Sequence, residues 1–366
     1  MASSMDLWVL GLSKSPSMEE SRKLQLTGGS TYTVSLPKRW VEQVGLERGS
    51  VVNIVQMDDL TLRIRPKGVK SEEEARKAVI TVSDGVSPES LVRLVVSAYL
   101  VGYNIIQLRN PNKRIDSTQR YAVKDFTRKS LVGTEILSDL PRELTLQVLL
   151  SYAELSVKDA LRRMSIIAAS MHRDALMTLA KDDPQLAREV VAMDDEVDRF
   201  SFYIIRLLKA AVSDSYILRE IGLNSARECL GYRLITKSVE RMADHAVNIA
   251  QNSLTLTPFT LNEEILNELG TISESALKVF EDAVESLFGR DYAAADKVLE
   301  RAEETRSMEA GAVQKIIKNA LPEDVPALRL IIESIMRTAE YGSDIAEIVL
   351  NMTIQSEITE ASTKSF

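Results

Sequence analysis

Residues 240–250 read ERMADHAVNIA, and residues 337–346 read RTAEYGSDIA. Setting Arg241 against Arg337 puts Glu340 under Asp244 and Asp344 under Asn248, with Ile-Ala following in both copies. A segment that recurs in altered form about a hundred residues later requires two copies of one structural unit. Its spacing says what kind of unit this is. Glu240, Asp244 and Asn248 fall at four-residue steps along one helical face, whereas Val239, Met242, Ala246 and Ile249 fall on the other.

The same period, near 3.6, runs from Leu155 to about Thr353. It divides into six long helices near 155–181, 184–212, 224–254, 261–289, 291–320 and 326–353, with Asp183-Pro184 and Gly289 as turn signals. Two three-helix units result, 143–254 and 255–353, followed by a flexible tail at 354–366. The second helix of the first unit carries MDDEVD, in which Asp194 and Asp198 lie four apart beside the apolar row Val190, Met193, Val197, Phe200 and Ile204. A like-charge pair at this spacing costs a few tenths of a kcal/mol by itself (~0.2–0.5), and a bound cation reverses the sign. Carboxylate oxygens suit hard ions better than thiolate-seeking ones. The plainer reading is a solvated polar face, because Arg233, Lys237 and Gln251 continue the stripe that Glu240 begins.

The 240–250 motif resembles the third helix of the PhoU family, whose pattern is close to ERxxDHAxNIA, and MDDEVD resembles that family's D/ExxxD motif. The resemblance implies an all-α tandem pair of three-helix bundles, a role in regulating phosphate uptake, and metal held by carboxylates. Carried over residue by residue, it implies a site of Asp194, Asp198, Glu240, Asp244 and Asn248, for iron, zinc, manganese or magnesium. His245, from the DHA of the motif, is expected as a nearby ligand or hydrogen-bond partner, and His172 as structural. The second unit departs from the pattern. With Asp195 set against Glu303, Ala302 and Arg306 fall under Asp194 and Asp198. Only Glu340 and Asp344 remain, as a weaker second metal site.

The N-terminal part reads differently. After a leader at 1–20, rich in Ser and Met, come RKLQL, a Gly28-Gly29 break, TYTVSLP, a short helix WVEQV, Gly45, SVVNIVQM and LTLRIRP, with Asp58-Asp59 at a hairpin turn. Strands this thin over 21–67 cannot bury a core alone, so a partner chain is expected. Eight bases in this stretch stand against four acids, a balance of +4 in a chain of net charge −8. The element order, with Arg22 and Lys23 opening the first strand and Pro37 and Gly45 as framework, resembles the AbrB (SpoVT-AbrB) family. That resemblance implies a small swapped-hairpin β domain, a homodimer and DNA binding through Arg22, Lys23, Lys38 and Arg39. Where DNA-binding members carry an arginine pair in the short helix, this chain has Val41 and Glu42. Together the two resemblances are of an archaeal type.

Residues 68–142 read as a small α/β linker domain: a strand in KAVITV, a buried helix over 88–103 capped by Ser87, a strand in NIIQL and a basic helix over 118–131. Arg109, Lys113, Arg114, Arg120, Lys124, Arg128 and Lys129 form either a second nucleic-acid surface or a solvated helix face.

Composition excludes several classes. Aromatics are only 5%, which favours long helices over a β-sandwich. The single cysteine, Cys229, allows no intrachain disulfide and fits a reducing cytosol. The most apolar run, 91–108, is broken by Arg93, Gly102, Asn104 and Gln107, so no membrane insertion is expected. The 7–12 run is too short for a signal peptide. No phosphate-cradling glycine loop or nucleophile–base pairing is evident, and no His accompanies the acids at ferritin-like spacing, so no enzyme is expected. The expectation is a cytoplasmic, dimeric phosphate-response regulator that binds DNA and senses through its helical module. The rival is an adaptor docking on a phosphate transporter or signalling kinase, its N-terminal barrel serving only to dimerise.

Overall fold

The structure is a computed structural model that describes residues 20–56, 60–67, 76–83, 85–150, 155–181, 183–257 and 261–358. The expected leader, apart from Glu20, and the Asp58-Asp59 turn lie outside the described residues. The chain divides into two compact units, 1–74 and 75–366.

The first unit holds two separate antiparallel hairpins, β1 (Gln25–Thr27) with β2 (Thr31–Thr33), and β3 (Val52–Gln56) with β4 (Leu62–Pro66). Between them lies the short helix α1 (Lys38–Gln43). Gly28 and Gly29 take φ of +63° and +79°, which lets the first hairpin turn in so few residues. The first strand is shorter than expected and starts at Gln25, so Arg22 and Lys23 precede it. No described residue of this unit is buried. Leu26, Tyr32, Ile54 and Leu62 are 60%, 70%, 59% and 64% exposed. One chain therefore leaves these four apolar side chains largely in water.

The second unit opens with β5 (Lys77–Thr81), α2 (Pro88–Val101), β6 (Ile105–Arg109), α3 (Ser117–Ser130), β7 (Thr134–Leu140) and β8 (Glu143–Val148). The sheet order is β5-β6-β8-β7, with β5 and β6 parallel and the rest antiparallel. Ser87 caps α2, its Oγ accepting the Ser90 N–H at 3.1 Å, and Pro88 takes the first helical position, where no amide partner is needed. The domain boundary expected at 142 is wrong. β8 lies wholly beyond it and pairs with β6 from Glu143 to Gln147, so the α/β domain extends through Val148.

Six long helices follow: α4 (Val157–Lys181), α5 (Pro184–Ser213), α7 (Ala226–Ser253), α8 (Glu263–Gly289), α9 (Tyr292–Asn319) and α10 (Val325–Thr353), with an unexpected short α6 (Ser215–Glu220) between α5 and α7. They lie within a few residues of where the hydrophobic period puts them. Asp183 stops one helix from running into the next by capping α5 through the Gln185 and Leu186 N–H groups. The expected flexible tail begins instead as a 3-10 turn, Ile354–Ser356. Helices α4, α5 and α7 form one bundle and α8, α9 and α10 the other, joined chiefly along α7 and α10. The Ile, Leu, Val and Ala rows of all six merge into one core.

Polar groups fix how the bundles meet. His172, wholly buried on α4, bonds through Nε2 to Ser273 Oγ of α8 at 2.8 Å and through Nδ1 to Thr338 Oγ1 of α10 at 3.2 Å. Burial, with a smaller push from Arg173, lowers its pKa to about 4, so the ring is neutral at ordinary pH. Among the described residues, no helix is long and apolar enough to cross a membrane.

Candidate functional site

Helix α5 packs along α7, and this packing brings the two acidic pairs together. Asp194 and Asp198 of α5 share their surroundings with Glu240 and Asp244 of α7, all close enough to perturb one another. Burial, followed by repulsion from Asp244, Asp195 and Glu240, pushes the Asp194 carboxyl up to about 6. Burial, followed by repulsion from Asp194, Glu240 and Asp244, pushes Asp198 to about 7 against the pull of Lys237. Asp244 is raised by burial and by Glu240, opposed by Lys237 and Arg241. Lys237 Nζ holds Glu240 Oε1 at 2.7 Å. Four carboxylates thus repel one another across a patch in which Asp194, Asp198 and Glu240 are partly buried and Asp244 is exposed.

As placed, no three His, Cys, Asp or Glu side chains among the described residues stand close enough to hold a metal ion. The donor set nevertheless fits one in chemistry: oxygen ligands only, more negative charge than Lys237 offsets, and partial shielding from water. Ligation requires the carboxylates to turn toward each other. Asn248, one turn beyond Asp244, is exposed.

His245 points elsewhere. Its Nδ1 meets Ser334 Oγ at 3.2 Å and its Nε2 meets the Tyr341 hydroxyl at 3.4 Å, both on α10. It is a hydrogen-bond partner across the bundle interface, and the ligand alternative is not what the geometry shows. Tyr341 is also the residue that the repeat sets under His245, so the two equivalent positions of the repeat touch each other.

In the second three-helix bundle, Glu340 is paired with Arg337. The Asp344 carboxyl is raised by burial, then by Glu347 and Glu340, against Arg241. From α9 this site receives no acid at the matching positions: Ala302 is buried and Arg306 turns back to Glu303 at 3.0 Å.

In the N-terminal unit, Arg22 pairs with Glu20, Lys38 reaches Glu42 at 3.7 Å, and Lys23 and Arg39 are exposed. Much of the basic set in the α/β domain is already engaged. Arg120 bonds Asp139 and the carbonyls of Leu140 and Pro141, Lys124 bonds Asp139 at 2.7 Å, and Lys129 bonds Asp125 at 2.9 Å. These pairings favour the structural reading of that helix face. The sequence reading passed over Arg206 of α5. Its signal was a lone charge inside the apolar run YIIRLL, where a helix in contact with a second layer carries a buried polar group.

A pH dependence follows from the raised carboxyls. Between the ordinary aspartate pKa and about 7, folded Asp194 and Asp198 bind more protons than the unfolded chain, so their contribution to stability falls as pH rises through that window. Thermal melts of the metal-free protein should show Asp194→Asn plus Asp198→Asn raising the midpoint at pH 8 and changing it little at pH 4. An equal change at both pH values would mean that the repulsion is absent.

Two stretches, 161–253 and 269–349, match the family described as PhoU domain, and 25–72 matches the family described as Antidote-toxin recognition MazE, bacterial antitoxin. The chain is similar to a phosphate-specific transport system accessory protein PhoU homolog of Caulobacter vibrioides (strain NA1000 / CB15N), 26% identical over 195 residues that cover 51% of this chain and 82% of that protein. It is also similar to the PhoU homolog 1 of Thermotoga maritima, 23% identical over 217 residues, covering 57% and 86%. Among solved structures, the phosphate transport system regulatory protein PhoU from Streptococcus pneumoniae aligns with a TM-score of 0.46 at 19% identity, over 56% of this chain and 96% of that one. PhoU from Pseudomonas aeruginosa aligns with a TM-score of 0.49 at 18% identity, over 54% and 96%.

Proposed function

Since the chain belongs to the PhoU family, with two PhoU domains in tandem behind a MazE/AbrB-like module, we propose that it is a cytoplasmic regulator of phosphate transport that binds DNA as a homodimer. The observation that supports the DNA-binding half is the hairpin stretch 21–67: eight bases against four acids in an acidic chain, with no buried residue among those described. Exposed Leu26, Tyr32, Ile54 and Leu62 represent apolar area that a second chain would cover, each worth about 1.5–3 kcal/mol when fully buried. A dimer built this way doubles the set Arg22, Lys23, Lys38 and Arg39. The relatives are accessory and regulatory proteins by name, in keeping with a regulator and not an enzyme.

The helical module acts as the sensor. Asp194, Asp198, Glu240 and Asp244 would hold a divalent or trivalent cation, which supplies the positive charge that the four carboxylates lack. Binding of metal, phosphate or a transporter or kinase partner shifts the population of bundle packings, and with it the DNA-binding unit.

Metal analysis of the purified full chain tests the sensor. Asp198→Ala plus Asp244→Ala should remove most bound metal, whereas Glu340→Ala should remove little, because Arg306 occupies the place of an acid in the second three-helix bundle. Equal loss from both variants would overturn the one-site reading.

A further inference from the structure

The acidic helix and the start of the second unit grip the same short turn. Arg206 lies two turns, about 12 Å, beyond Asp198 on α5. It is 3% exposed. Its guanidinium donates to the carbonyls of Tyr99 and Tyr103, the latter at 3.1 Å, and to Asn104 Oδ1 at 3.2 Å, and it stacks over the Tyr99 ring at 4.8 Å. Midway between Asp198 and Arg206, the Phe202 ring packs against Phe126 of α3 with centroids 6.0 Å apart. The face of α5 that follows the acids is thus seated on the α/β domain.

Residues 99–104 are the C-terminal end of α2 and the turn that leads into β6. Gly102 makes this turn at φ +96°, and Tyr99 anchors it through its hydroxyl to the Val132 carbonyl at 3.2 Å. From the other side it is held by Arg76, which immediately precedes β5 and is the first described residue after the junction with the N-terminal unit. Arg76 donates to the Val101 carbonyl at 3.1 Å and lies over the Tyr103 ring at 5.0 Å. Its own carbonyl accepts the Asn104 N–H at 2.8 Å and the Ile105 N–H at 3.2 Å.

We infer that the 99–104 turn, clamped between Arg206 and Arg76, couples the state of the acidic patch on α5 to the point where the N-terminal unit joins. Relief of the repulsion among the four acids lets α5 shift against α7, and packed helices move by small steps of this kind. Arg206 cannot slip off its carbonyls without leaving buried groups unpaired, so the turn follows the helix. The turn in turn bears on Arg76. What the N-terminal unit does with the signal rests on the proposed function; the coupling does not.

The test is amide hydrogen exchange at Asn104 and Ile105 in the full chain, with neither metal nor DNA added. Four proteins are compared: the natural sequence, Asp198→Asn, Arg206→Met and the double variant. Asp198→Asn should change exchange at these amides about fivefold, the lower end of common coupling strengths, and the change should vanish when Arg206 is Met. Arg206→Lys keeps the charge and stem but not the fork, and should blunt the response even if Arg206→Met does not fold. An unchanged rate in Asp198→Asn, or the same change with and without Arg206, overturns the coupling. Metal or DNA binding that fails in separate assays leaves this result standing, so the two failures are distinguishable.

Discussion

Replacing Arg22 and Lys38 by Glu in the full chain is expected to abolish DNA binding at physiological salt while leaving the dimer and the helical fold intact. Each dimer would present Arg22, Lys23, Lys38 and Arg39 twice, eight bases in all. If about four to six reach phosphates, log affinity falls against log salt with a slope of roughly −4 to −5, since each contact contributes about −0.9. The ion pairs that Arg22 and Lys38 make with Glu20 and Glu42 are surface pairs and yield readily to phosphate. Reversing two positions per chain puts acids at four of the eight places. Fluorescence anisotropy of a short duplex over a salt series measures both the affinity and the slope. If the natural protein shows no salt-dependent affinity at low ionic strength, the N-terminal unit serves only to dimerise and the adaptor reading takes its place.

Gly342→Ala is the substitution expected to cost most stability in the helical module. A Cβ at that position would lie 2.9 Å from both the Cα and the N of Phe280 and 2.9 Å from Val279 Cγ1. Two of those atoms are backbone of α8, so relief requires α8 and α10 to move apart. Overpacking of this kind costs typically 1–3 kcal/mol, which outweighs the roughly 1 kcal/mol that alanine gains over glycine in a helix. A net loss of about 1 kcal/mol, up to about 2, is expected from urea unfolding. Gly311→Ala in α9 is the control: nothing lies within 4 Å of its Cβ, and a gain of up to about 1 kcal/mol is expected. Should Gly342→Ala prove as stable as the natural protein, the close approach of α8 and α10 is not a feature of the folded chain.

How legible each part was depended on whether its signal was local. The long helices were readable because burial on one face repeats at 3.6 residues and the breaks carry their own chemistry, as at Asp183-Pro184. The pairing of β7 with β8 was not, because Leu137 and Leu140 point outward and Pro141 interrupts the alternation, so no clean period of two survives. The short α6 is capped by Asp214, which also ends α5, and its six residues, fewer than two turns, leave no period to detect. At the candidate site, the Asp194/Asp198 and Glu240/Asp244 spacings were plain in the sequence. That the two pairs come into one neighbourhood is a tertiary fact, set by the packing of α5 on α7. The orientation of His245 was likewise out of reach, since Ser334 and Tyr341 lie on a helix nearly a hundred residues away. Arg206 left a signal in YIIRLL, but its partners, the carbonyls of Tyr99 and Tyr103, have no side-chain signature.

The proposed regulation of phosphate transport at DNA can be read in cells, by sequencing the DNA crosslinked to this protein during growth with high and with low phosphate. A small set of sites beside genes for phosphate transport should be enriched, with occupancy that changes between the two conditions and is lost in the Arg22→Glu plus Lys38→Glu variant. Crosslinked DNA that is no more enriched than in that variant, under both conditions, would contradict it.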